Sequence, residues 1–143
     1  MLVVDDRLLL TVLSGRMTGG LRSALDEGEL FTTGGWYYRL SHAIHRSEVA
    51  GKLSGAFASL EAQERTTAVR GLNELPGQIG LLSLRKLVPI MSLLDVGQPL
   101  NLLSAEALAA CVVLGAGLVV TTDSPMLRIG ADRLHVPYDV TAV

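Results

Sequence analysis

One stretch constrains this chain more than any other. From Val96 to Thr122 the only charged side chain is Glu106. Within that stretch, residues 107–120 form an uncharged apolar run of 14 residues that carries Gly115 and Gly117. A membrane-crossing helix needs about 20. The run therefore reads as a buried helix, a tight glycine turn and a buried strand. The same demand for burial explains a mean hydropathy of +0.41. With 49% hydrophobic and 18% charged residues, the chain is expected to fold rather than stay disordered. At 143 residues it is expected to form one domain.

The remaining segments alternate between strand and helix patterns. Leu2 to Val4 is a short apolar run ending at Asp5-Asp6, with Asp6 expected to cap a helix over residues 7–13. Residues 21–27 and 30–33 read as a short helix and a second strand. Residues 36–46 place Trp36, Tyr37, Leu40, Ala43 and Ile44 on one helical face, with Arg39, His42 and Arg46 as a basic stripe along its edge. Residues 52–74 read as helical. A weak strand follows at 79–84, then a helix over 85–94 whose start Pro89 shifts toward Val88. Residues 101–114 form the apolar helix, 118–122 a strand and 125–133 a last helix. Residues 135–140 read as an edge strand, because it contains Pro137. Alternation of this kind predicts a single α/β domain with a central, mostly parallel sheet flanked by helices.

Charge and cysteine content exclude several classes. The formal charge is −2, so there is no global basic signature of a nucleic-acid binder, and any such site must be local. Cys111 is the single cysteine, which rules out an internal disulfide and fits a reducing, cytoplasmic setting. It lies among Ala110, Val112 and Val113 and reads as core packing. No basic start with a cleavable apolar run is seen, and no membrane association is expected.

The chemistry concentrates in acids. A lone carboxylate such as Glu106 on a buried helix costs several kcal/mol unless it is paired, protonated or metal-bound. The bland alternative is a carboxylate near a helix start that reaches solvent. Asp5 and Asp123 each sit where a predicted strand gives way to a helix, and in parallel α/β sheets those carboxyl ends collect ligand sites. Carboxylates converging there would repel one another, and a hard cation such as Mg²⁺ or Mn²⁺ would relieve the repulsion. One Cys and three scattered His give no zinc site.

The run Ser104-Ala105-Glu106-Ala107-Leu108-Ala109-Ala110, followed by Leu114-Gly115-Ala116-Gly117-Leu118-Val119-Val120-Thr121-Thr122-Asp123, resembles the C-terminal half of PIN domains. These are metal-dependent nucleases that include the VapC-type toxins. Residues 131–137 and the opening Val3-Val4-Asp5 fit the same pattern. The resemblance implies a Mg²⁺- or Mn²⁺-dependent ribonuclease with Asp5, Glu106 and Asp123 as catalytic metal ligands and Asp6 assisting. It further implies a homodimer, RNA as substrate and an antitoxin-type protein as a partner.

Three departures stand out. Glu106 replaces the usual Asp, Arg7 the usual Asn and Arg39 the usual Glu, with Glu48 the only nearby acid that could stand in. Two unit charges about 5 Å apart interact by roughly 3 kcal/mol at an effective dielectric of 20, so an inward Arg39 would oppose a divalent ion strongly. The alternative function is therefore a catalytically degenerate PIN-like binding or assembly protein whose site is occupied by Arg7 and Arg39. The stripe Arg39, His42 and Arg46 is the candidate RNA contact. A remoter alternative is a receiver-like signalling domain, from Asp5-Asp6 and the segment around Asp95. Those two segments lie 89 residues apart, and no Lys follows Lys86.

Overall fold

The computed structural model describes residues 1–17, 19–46 and 51–143. Among the described residues five strands run in chain order: Leu2–Val4 (β1), Leu30–Thr32 (β2), Ile79–Leu81 (β3), Gly117–Val120 (β4) and Tyr138–Val140 (β5). Among the described residues there are eight helices. They are Asp6–Leu13 (α1), Gly20–Asp26 (α2), Gly34–His45 (α3), Lys52–Ala58 (α4), Ala62–Asn73 (α5), Leu84–Met91 (α6), Leu102–Leu114 (α7) and Pro125–Arg133 (α8).

The apolar run of β1 suits a strand covered on both faces. Successive strand side chains point to opposite faces. Val3 and Val4 are accordingly both fully buried, each in a different core. The Val3 core includes Leu87 from α6, Leu108 from α7 and Leu127 from α8. The Val4 core includes Leu8 and Leu9 from α1, Leu40 from α3 and Leu72 from α5. The sheet is parallel throughout, in the order β3-β2-β1-β4-β5, with Val3 opposite Phe31 and Leu118. The α/β reading with a parallel sheet flanked by helices therefore holds. The order reverses between β1 and β4, and in open α/β sheets ligands bind in the crevice beyond the strands' carboxyl ends at such a reversal.

Local details differ from the sequence reading by small, physical margins. Asp5, not Asp6, caps α1, and its side chain accepts from the Leu8 N–H. Thr33 is not strand but the N-cap of α3, accepting from Trp36, so α3 begins at Gly34. The expected helix over 52–74 is two helices. The second starts at a reciprocal cap between Glu61 and Glu64. Pro89 does not shift the start of α6; it sits inside the helix, which begins at Leu84. The Asp95 segment is a loop in which Asp95 accepts from Gly97 N–H. A receiver sheet has the order 2-1-3-4-5, which this chain lacks. Among the described residues no helix is long and apolar enough to cross a membrane.

Cys111 is 1% exposed in the middle of α7, and burial pushes its thiol up to about 12. The thiolate is the reactive form. A maleimide reagent near neutral pH is expected to label Cys111 only after denaturation. Rapid labelling of the folded chain would show that α7 opens.

Candidate functional site

The reversal point between β1 and β4 opens into a cleft of about 580 Å³. Asp5, Asp6 and Arg7 line it from the end of β1 and the start of α1. Thr121, Thr122 and Asp123 line it from the loop after β4. Arg39 enters from α3. Arg7 also borders a second cleft, of about 570 Å³, lined by Thr11, Met17, Leu21 and the C-terminal residues.

Asp5 is 7% exposed, and both its oxygens are engaged. Oδ1 accepts from Leu8 N–H at 2.9 Å. Oδ2 accepts from Thr121 N–H at 2.7 Å and from the Thr121 hydroxyl at 2.9 Å. One carboxylate thus caps α1 and ties it to the loop after β4. Burial raises its pKa above the usual aspartate value. The bonds from Leu8 and Thr121 pull it down, and the charge of Asp6 adds to the rise.

Asp6 is 4% exposed and takes Arg39 as partner: Arg39 Nε donates to Asp6 Oδ2 at 2.5 Å. The carboxylate is buried while the guanidinium side is half exposed, so the pair sits at the cleft mouth. The direction of Arg39 is thereby decided: it turns toward the acids. Among the described residues the Arg7 guanidinium pairs with no carboxylate.

Glu106 is 2% exposed, so the alternative of a carboxylate reaching solvent does not hold. It does not line the cleft either. Its Oε1 accepts from Gly35 N–H at 2.8 Å and its Oε2 from Gly34 N–H at 3.1 Å. A carboxylate from α7 therefore caps the start of α3, where orphan N–H groups and the positive end of the helix dipole favour it. Glycine is needed there for closeness. A Cβ on Gly35 would lie 2.8 Å from Glu106 Oε1 and 2.6 Å from Leu103 Cδ2. The glycine pair at this helix start was the available sequence signal for the contact.

Asp123 is exposed and accepts from the Tyr138 hydroxyl at 3.0 Å, with Arg128 Nη2 at 3.4 Å from its other oxygen. Among the described residues no group of three or more Asp, Glu, His or Cys side chains is gathered as ligands for one ion. In the basic stripe, His42 is exposed and stacks on Tyr38 with ring centroids 5.8 Å apart, and Arg46 is exposed. Glu48, the stand-in acid considered from the sequence, lies outside the described residues. Compared with known proteins, the chain matches no family model and no curated protein sequence.

Two outcomes follow from this geometry. Glu106→Ala should cost about 2–4 kcal/mol in urea unfolding, because each orphaned buried donor costs about 1–3 kcal/mol. Glu106→Gln, which keeps one acceptor, should cost less; equal losses would refute the capping role. For Asp5, a raised folded pKa means the folded state holds the proton more tightly than the unfolded state does. Its contribution to stability is full at pH below the unfolded value and declines as pH rises through the folded one. A carboxyl NMR titration should place the Asp5 midpoint above that of an unfolded aspartate. A midpoint at or below it would contradict this.

Proposed function

We propose that this chain is a PIN-like protein that binds rather than cleaves. The observation that carries the reading is the Arg39–Asp6 pair in the cleft, where the resemblance places an acid in position 39. A tethered guanidinium already supplies the positive charge a metal would bring. The other acids are committed as well: Asp5 holds three donors, Glu106 caps α3, and Asp123 takes Tyr138 and Arg128. The residues present do not fit a shared Mg²⁺ or Mn²⁺ site, and no catalytic step is derived through one.

A second reading is favoured by one observation. Asp5, Asp6 and Asp123 line the same cleft, so a Mg²⁺- or Mn²⁺-dependent ribonuclease would have its acids at one edge of the sheet. A thermal melt against millimolar Mg²⁺ and Mn²⁺, run beside a single-stranded RNA cleavage assay, separates the two. The binding reading expects no saturable rise in Tm and no cleavage. Arg39→Glu should lower the metal-free Tm by placing a second acid against buried Asp6, and Mg²⁺ should restore part of the loss. Arg39→Gln should lower Tm without a Mg²⁺-dependent recovery. Efficient Mg²⁺-dependent cleavage by the wild type, unchanged in Arg39→Glu, would sink the binding reading.

A further inference from the structure

The cleft's acids and cations are not balanced alike. Every acid lining it already has protein donors, as described above. Two of its cations, Arg7 and Lys52, have no carboxylate partner among the described residues. A third group is unmatched in the same cleft. Ser104 lines the cleft, and among the described residues its hydroxyl oxygen, which is not itself buried, makes no hydrogen bond within the protein. This hydroxyl reaches solvent at the cleft wall and is a free donor and acceptor for a bound molecule. The rest of the lining is mixed, with Trp36, Leu53 and Leu103 as apolar surface and Asn101, Thr122 and Ser124 as polar groups. A volume of about 580 Å³ falls within the roughly 300–1,000 Å³ of small-ligand pockets, which combine apolar walls with a few placed polar groups.

We infer that this cleft binds a small phosphomonoester of mononucleotide size, with its phosphate toward Arg7 and Lys52 and its organic part against Trp36 and Leu103. The inference rests on the binding reading above, since a metal-loaded site would hold a phosphate through the ion rather than through Arg7 and Lys52. An anion fits because the cations are unspent and the acids are not. A divalent phosphate suits two separate cations better than a monovalent carboxylate does. Arg39 keeps its half-exposed guanidinium at the mouth, bound to Asp6 through Nε, and so adds positive potential without being the anchor.

The test is isothermal titration of the full chain with AMP, CMP, inorganic phosphate and a short single-stranded RNA, at two salt concentrations. Saturable binding of a nucleoside monophosphate, tighter than phosphate and weakened by salt, is expected. Arg7→Gln should weaken it by about tenfold or more, the worth of one hydrogen bond to a charged group. Lys52→Gln, at an exposed position, serves the same purpose should the Arg7 variant fail to fold. Arg22→Gln, on the exposed side of α2, should leave affinity unchanged. Absence of saturable mononucleotide binding, binding indifferent to Arg7 and Lys52, or binding of RNA alone would each overturn the inference. The Mg²⁺ melt keeps the two levels apart: a Mg²⁺-dependent Tm rise with cleavage overturns the binding reading itself. Silence toward both Mg²⁺ and nucleotide overturns only the ligand class.

Discussion

The contact on which this structure turns is the carboxylate of Glu106 closing on the amides of Gly34 and Gly35. A buried carboxylate is costly unless its oxygens find donors. Here both oxygens find backbone donors at a helix start, so the cost is offset by the same groups that would otherwise be orphaned. The exchange is mutual: α7 can carry an acid in an apolar helix only because α3 begins beside it, and α3 needs no side-chain cap of its own beyond Thr33. Gly35 and Arg39 are four residues apart and share a helical face. Fixing Gly35 against α7 therefore also fixes where Arg39 stands, which is over Asp6 at the carboxyl edge of the sheet.

At that edge the chain faces the ordinary difficulty of a parallel sheet: several loops bring carboxylates together at the strand ends. One solution is a shared cation. The solution found here is to give each acid its own donors. Asp5 accepts from both sides of the reversal point and so becomes a structural tie between α1 and the loop after β4. Its raised pKa shows that burial outweighs those bonds in setting its charge. Asp123, farther out, relies on a tyrosine hydroxyl and an arginine that water reaches. Charge compensation thus runs from backbone donors in the interior to side-chain donors at the rim.

Much of this was legible in the sequence, and the parts that were not have physical reasons. Strand ends marked by Asp5 and Asp123, the uncharged run after Glu106 and the alternation of patterns are local signals, and each led to the correct element. The partner of Glu106 lies more than seventy residues upstream, and no local period encodes such a contact. Two adjacent aspartates made the cap of α1 ambiguous by one residue, because either side chain can serve as an N-cap and only the backbone decides. Residues 52–74 hide a break because Leu60 and Glu61 favour helix nearly as well as their neighbours do. Arg39 was visible as an anomaly, but its inward direction depends on how α3 is anchored.

A guanidinium beside Asp6 is not equivalent to a metal ion, although both are positive. A metal exchanges with solvent and brings open coordination positions; a guanidinium on α3 is covalently tethered and brings fixed donors. Asp6 is 4% exposed and sits in the first turn of α1, where the helix dipole favours an acid by about 0.3–1 kcal/mol. That is less than the several kcal/mol an unpaired buried charge costs. Because Arg39 is half exposed, its attraction to Asp6 is screened, and its larger contribution is to prevent Asp6 from being left without a partner. The pair therefore supplies Asp6 with a positive partner that does not depend on a divalent ion being bound. It leaves Arg7, on the next residue of the same helix, as one of two cations lining the cleft, with Lys52, that no carboxylate of the described residues pairs.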